Sequence, residues 1–326
     1  MEAMNSTDEA CAFLKRAVNQ SSQAFIANVV TCIVDSLVFV SAPVINAFIV
    51  YAIWTTNALH SPPNTLLCCL AITDCLTGLI VAPMSLVNKV GEIFRVFKVY
   101  CVGGIISSLM VYTTASVSFL TLALIAVERY LALYLHLRYM SIVTSGRMIK
   151  TVVFFWFYMA SLSALRFVDT NESILRPVVM FNLVAFLTVT LFCYFKIYSN
   201  VQRHRAKIRA ESHSVQHCEE SIEVNGCKNS RISRQNSAEL ARYRRSTLTM
   251  VYIVGCFLLC YSPTLAYQLV LLVWTKLDDT KTRIAYKYCF SVVLLKSSLD
   301  PLLYCWRITD IRRVFRRILA QMLTTK

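Results

Sequence analysis

Charge is scarce in this chain: only 16% of its 326 residues are Asp, Glu, Lys or Arg, against about a quarter in an ordinary soluble domain. With 56% hydrophobic residues, a water-soluble enzyme of this length is excluded. Glycine and proline are also few, 7 of each. The 13 cysteines are too sparse for a disulfide scaffold, and most lie inside apolar runs, where a thiol acts as a small hydrophobe. Histidine stands at 5, and all of them (His60, His136, His204, His213, His217) fall between apolar runs. None lies near Cys68 and Cys69 or Cys256 and Cys260, so no zinc site is spelled and metal catalysis within the apolar part is disfavoured. What charge there is has one prevailing sign, +15. A disordered basic protein is excluded in turn, because it would not carry 18 Phe, 16 Tyr and 4 Trp. The solvent that suits such a chain is a lipid bilayer.

A spanning helix needs about 20 mostly apolar residues, because every backbone polar group must be satisfied within the segment. Such runs occur at about 28–53, 64–87, 99–132, 149–167, 177–200, 246–272 and 284–305. Seven spans make an all-α bundle, residues 28–305, after a tail of residues 1–27. The third run is longer than hydrocarbon requires and implies a tilted, projecting helix. Met1 to Gln23 are polar, so no cleavable signal peptide is expected. With the N-terminus outside, 21 of the 33 Lys and Arg fall on the cytoplasmic face. The glycosylation sequons at Asn5, Asn19 and Asn171 then all lie outside. The third inner loop, about residues 202–245, reads as disordered, and Ser233 and Ser237 stand beside arginines as candidate phosphorylation sites. After the seventh span, within residues 306–326, Ile308 to Leu319 alternates apolar residues with Arg312, Arg313, Arg316 and Arg317. That pattern suits a helix lying on anionic lipid, and the basic excess is assigned to this face and not to nucleic acid.

Motifs recur in order along the spans: Asn46; Leu70-Ala-Ile-Thr-Asp74; Glu128-Arg129-Tyr130; Trp156; Tyr194; Phe257-x-x-Cys260-Tyr261-Ser-Pro263; Asp300-Pro301-Leu-Leu-Tyr304. On these the chain resembles the rhodopsin-like (class A) G-protein-coupled receptors over nearly its whole length. The resemblance implies a plasma-membrane receptor that binds an extracellular ligand and activates a heterotrimeric G protein, with arrestin and receptor kinases as further partners. It also implies no enzymatic activity. Physical reasoning agrees: Glu128 beside Arg129 can hold the guanidinium by a charge-assisted bond. Pro263 removes a hydrogen bond from the sixth helix and allows its inner end to swing. By resemblance, Tyr194 and Tyr304 restack around Arg129 on activation.

Departures from the family pattern carry their own implications. Tyr261 stands where the family has Trp, and Arg242, Tyr243, Arg244 and Arg245 stand where an acid pairs with Arg129, which implies some basal activity. Gly104 replaces the usual helix-three Cys and the second outer loop lacks Cys, leaving Cys11, Cys101 and Cys289 as outer thiols from which any bridge is drawn. Phe186 replaces the usual helix-five proline. The Cys-free second outer loop and the proline-free helix five resemble the melanocortin, cannabinoid and lysophospholipid receptor group, and the stretch Leu137-Arg-Tyr-Met-Ser-Ile-Val-Thr144 resembles adenosine and melanocortin receptors. Lys296 invites comparison with opsins, but it lies two residues from the retinal position, which Leu294 occupies; about 200° of helix rotation separates them, so no retinal is expected. The family's sodium pocket maps onto Asp74, Ser118, Ser297 and Asp300, with Lys296 where an Asn usually sits. A buried charge needs a partner, so Lys296 is expected to pair with Asp74, Asp300 or both and replace the sodium ion.

Val111 stands where amine receptors place Asp. Met84 and Ser108 occupy sites of the melanocortin receptors' acids, and Gln268 replaces the adenosine receptors' Asn. Asp35 reads as a lone buried acid able to contact a cationic ligand. The expected pocket comprises Asp35, Met84, Ser108, Val111, Tyr112, Tyr261, Leu265 and Gln268. Two other classes are weighed. A transporter or channel would use Asp74, Lys296 and Asp300 as an ion path, but repeats and Gly/Pro-broken spans are absent. An intramembrane aspartyl protease would pair Asp74 with Asp300, but the Gly-x-Gly-Asp context is missing.

Overall fold

The computed structural model describes residues 11, 21–56, 59–135, 138–168, 175–218, 251–271, 273, 279–307, 312–314 and 316. Among the described residues, seven long helices form an all-α bundle: α1 (Ser22–Thr55), α2 (Pro62–Ile93), α3 (Phe97–Leu135), α4 (Ser145–Phe167), α5 (Leu175–Cys218), α6 (Val251–Leu271) and α7 (Asp279–Arg307). Six contain stretches long and apolar enough to cross a membrane; α7 is interrupted by charge in its first turns and at Lys296 and Asp300. Long apolar side chains such as Trp54, Phe154, Phe157, Phe181 and Phe195 point outward and stay exposed. Outward hydrophobes on helices that also bury an inner face are what a hydrocarbon solvent favours.

Helices overshoot the apolar runs because backbone hydrogen bonding continues wherever helix-favouring residues follow. Thus α5 runs on through Arg203 to Cys218, where the sequence reading starts a disordered loop at about residue 202. The remainder of that loop, with Ser233, Ser237 and Arg242 to Arg245, lies outside the described residues, as do Asn5, Asn19 and Asn171. Residues 312–314 and 316 are helical, with Arg312, Arg313 and Arg316 exposed while Val314 packs on the core.

α3 is the central strut, packed on α2, α4 and α5, while α1 packs along α2 and α7. α2 contains a π turn at Thr77–Val81. Pro83 lies just beyond it and cannot donate to the carbonyl one turn back, which opens the local ladder. Within that turn Gly78 lies against Pro43 of α1, where an added Cβ would come within 2.5 Å of the proline ring. The α2–α3 connection is tight, with Arg95 at a positive φ of 57°. It is tied down by a disulfide between Cys11 and Cys101, whose Cα atoms are 5.6 Å apart. Of the three thiols assigned outside, Cys289 is the exception: it lies within α7 as a free thiol in the bundle interior.

Candidate functional site

A cavity of about 110 Å³ opens between α3, α5, α6 and α7 in the half of the bundle towards Cys101. Five residues of the expected pocket, Val111, Tyr112, Tyr261, Leu265 and Gln268, line it. Asn182, Phe186, Tyr286 and Cys289 line it as well and were not anticipated. Met84 and Ser108 are absent from the lining. Met84 lies along the close α2–α3 contact, where Gly103 packs against its carbonyl.

Asp35 is the clearest correction. It is fully buried but not alone: Lys89 Nζ donates to its Oδ2 at 2.6 Å, Ser85 Oγ donates to the same oxygen at 2.6 Å, and Ser291 Oγ donates to Oδ1 at 2.7 Å. Towards the Cys101 end, Lys287 Nζ lies 2.6 Å from Glu92 Oε2 and donates to Asn28 Oδ1 at 2.7 Å. The sequence reading places Lys89 outside the second span; because α2 runs on to Ile93, Lys89 and Glu92 enter the bundle. Their spacing carried the signal. Ser85, Lys89 and Glu92 stand at i, i+4 and i+7, Asn28 and Asp35 at i and i+7, and Lys287 and Ser291 at i and i+4, so each set shares one helix face.

Deeper in the bundle, Lys296 Nζ donates to Asp74 Oδ1 at 3.0 Å and lies 2.8 Å from Asp300 Oδ2. Ser297 Oγ donates to the same Asp74 oxygen at 3.0 Å, and Asn46 Nδ2 ties α1 to the Ser297 carbonyl at 2.8 Å. Ser118 is buried in α3, but no hydrogen bond joins it to Asp74. All three charged groups are almost wholly shielded from solvent. Above them sits an aromatic triad. Phe119 meets Phe257 and Tyr261 edge-on at centroid distances of 4.3 and 4.4 Å, and Phe257 stacks on Tyr261 at 4.4 Å. Phe119 and Tyr261 form the cavity wall, while the Phe257 ring lies 5.1 Å from the Lys296 ammonium. Ring faces attract cations at this separation, so one aromatic layer separates the cavity from the buried charges.

At the opposite end of α3, Arg129 Nε lies 3.3 Å from Glu128 Oε2. Glu128 is buried and also accepts from the Tyr139 hydroxyl. Tyr139 belongs to a short helix, Tyr139–Ile142, in the α3–α4 connection. Its phenol is pushed above its ordinary pKa, first by burial and then by the Glu128 carboxylate. Tyr130 stacks on Tyr134, Tyr194 packs half-buried against the core, and Pro263 sits exposed within α6. Pro301 is buried in α7, while the Tyr304 side chain lies outside the described residues.

The family model for the 7 transmembrane receptor (rhodopsin family) matches residues 45–177 and 168–304. The chain belongs to the rhodopsin family of seven-transmembrane receptors. It is therefore a multi-pass membrane receptor of a family that couples to heterotrimeric G proteins. Two features of this receptor escape motif reading. Tyr139 escapes because a tyrosine in a loop carries no period to mark it. The Asp35–Lys89 and Glu92–Lys287 pairs escaped because hydropathy ends the second span before Lys89 and Glu92.

Proposed function

We propose that this receptor, with its N-terminus outside the plasma membrane, binds an extracellular ligand in the cavity and activates a G protein through outward movement of the inner end of α6. The observation that carries this reading is the shared aromatic layer: Phe119 and Tyr261 face the cavity, and both rest on Phe257, which covers Lys296. A ligand that displaces Tyr261 must move Phe257, the next turn of α6, and thereby the field around Lys296, Asp74 and Asp300. Such a bundle has two arrangements, and a ligand shifts their balance only by the difference in its affinity for them. Glu128, with Tyr139 behind it, holds Arg129 in the resting arrangement; release of Arg129 opens the G-protein site. Tyr194, Pro263, Pro301 and Tyr304 serve the same switch, and the arginines at Arg242, Arg244 and Arg245 favour basal turnover.

Lys296 takes the place of a bound sodium ion. Its ammonium already supplies positive charge to both carboxylates, so a further cation in the same space would be repelled. Family membership supports arrestin and receptor kinases as further partners, the neighbouring arginines support phosphorylation at Ser233 and Ser237, and the exposed Arg312, Arg313 and Arg316 support contact with anionic lipid. The test is G-protein turnover in membranes. Wild-type receptor is expected to give turnover that Arg129→Ala abolishes and Phe257→Ala uncouples from ligand. Turnover indifferent to Arg129→Ala would refute the reading.

A further inference from the structure

Among the described residues, the cavity wall holds no Asp, Glu, Lys, Arg or His. Its walls are Val111, Ala115, Leu183, Phe186, Phe290 and Val293, with polar atoms only at a few points. A charged group placed there would lose its water without meeting a counter-charge. Among the described residues, the nearby acids Asp35 and Glu92 offer none, because they are already paired with Lys89 and Lys287. Arg166 lies over the Tyr112 ring at 4.3 Å and is not part of the lining.

Two polar groups of the wall are satisfied from within. Asn182 Nδ2 donates to the Val178 carbonyl at 2.9 Å, and Thr264 Oγ1 donates to the Cys289 carbonyl at 3.5 Å. Gln268 differs: it lines the cavity, and its Oε1 is buried with no hydrogen-bond partner. A buried acceptor of this kind is costly unless something donates to it. The cavity is large enough for a bicyclic ring system, since one water needs only about 10–15 Å³ of such space.

We propose that the cavity takes an uncharged, mainly hydrophobic small molecule whose hydroxyl or amide N–H is bound by the Gln268 carboxamide. This rests on the reading of the cavity as the receptor's ligand site. A hydroxyl both donates and accepts, so it serves either orientation of the carboxamide. The apolar body fills the wall from Val111 to Val293 and presses on Tyr261 and Phe119, the residues that reach Phe257. Monoamines and carboxylates are disfavoured by the same wall.

The test uses the full-length receptor in lipid nanodiscs with four probes of one shape: naphthalene, 2-naphthol, 2-naphthoate and 2-(aminomethyl)naphthalene. Binding is corrected for partition into empty nanodiscs. Occupancy is read by thermal unfolding and by the rate at which N-ethylmaleimide labels Cys289, followed by mass spectrometry, since this free thiol lies in the wall. The expected result is that 2-naphthol binds at least tenfold tighter than naphthalene and slows Cys289 labelling. Gln268→Leu should erase the difference and keep naphthalene affinity, and Gln268→Glu should make the aminomethyl probe the tightest. Equal binding of naphthalene and 2-naphthol, tightest binding of a charged probe to wild type, or no protection of Cys289 by any probe overturns the proposal. The last readout needs no variant. G-protein turnover in the same nanodiscs tests the receptor reading separately: turnover indifferent to Arg129→Ala would refute that reading while the probe preference stood.

Discussion

Lys296 and Asp300 stand one turn apart on α7, with Nζ 2.8 Å from Oδ2, and Asp74 of α2 closes the triad from across the bundle at 3.0 Å. One cation is thus shared by two acids in a place shielded from solvent. Removing it leaves two buried carboxylates facing each other. Breaking a buried pair by deleting one partner costs about 3–5 kcal/mol, so Lys296→Met is expected to lower the unfolding temperature markedly, and Lys296→Met with Asp300→Asn to recover much of it. Differential scanning fluorimetry on the purified receptor reads this directly.

The sodium-substitute role makes a separate prediction. Wild-type unfolding temperature should be the same in sodium chloride and N-methylglucamine chloride at equal ionic strength, whereas Lys296→Asn should be stabilised by sodium specifically. A wild-type receptor that sodium stabilises specifically would contradict the role.

Asp35 and Lys89 are both almost fully buried, so their energetics are suited to a double-mutant cycle. Asp35→Asn or Lys89→Met alone should destabilise by about 3–5 kcal/mol. The double variant should cost far less than the sum of the two, because neither charge is then left unpaired. Additive losses would mean that the pair does not act as a unit.

Tyr139→Phe removes a donor from the buried Glu128 carboxylate. Hydrogen bonds to charged groups contribute about 1.5–3 kcal/mol, so the variant should be destabilised by that order and show raised ligand-free G-protein turnover. The pH dependence has a definite sign. The folded receptor holds the Tyr139 proton more tightly than the unfolded chain. This contribution is therefore fully present below the ordinary phenol pKa of about 10 and is lost as pH rises above it. The alkaline loss should be smaller in Tyr139→Phe, as unfolding temperatures across that range will tell.

Reduction of the Cys11–Cys101 bridge, or Cys101→Ser, should destabilise the receptor by about 2–4 kcal/mol. Cys289→Ser should leave stability nearly unchanged. Peptide mapping without reduction is expected to recover Cys11 and Cys101 together and Cys289 as a free thiol.

Much of the site was legible because its signals are local. Glu128 and Arg129 are adjacent, Lys296 and Asp300 are one turn apart, and an ammonium surrounded by apolar residues requires an acid wherever the chain provides one. Five of the expected cavity residues needed only helix register. Asp35 was misread for the opposite reason. Its partners come from α2 and α7, 54 and 256 residues away, and hydropathy alone assigns a terminal lysine to water.

The amino-acid sequence by itself determined the solvent, the number of helices and the charges that need burial, because these follow from apolar run length and from the cost of an uncompensated charge. Which charges meet was decided by tertiary structure. Packing of α1 against α2 and α7 neutralises Asp35 and Glu92 and leaves the cavity wall uncharged. Packing of Phe119, Phe257 and Tyr261 sets one aromatic layer between that cavity and Lys296. Contacts between helices far apart in sequence depend on crossing geometry and on local departures such as the π turn at Thr77–Val81, which no run of hydropathy encodes.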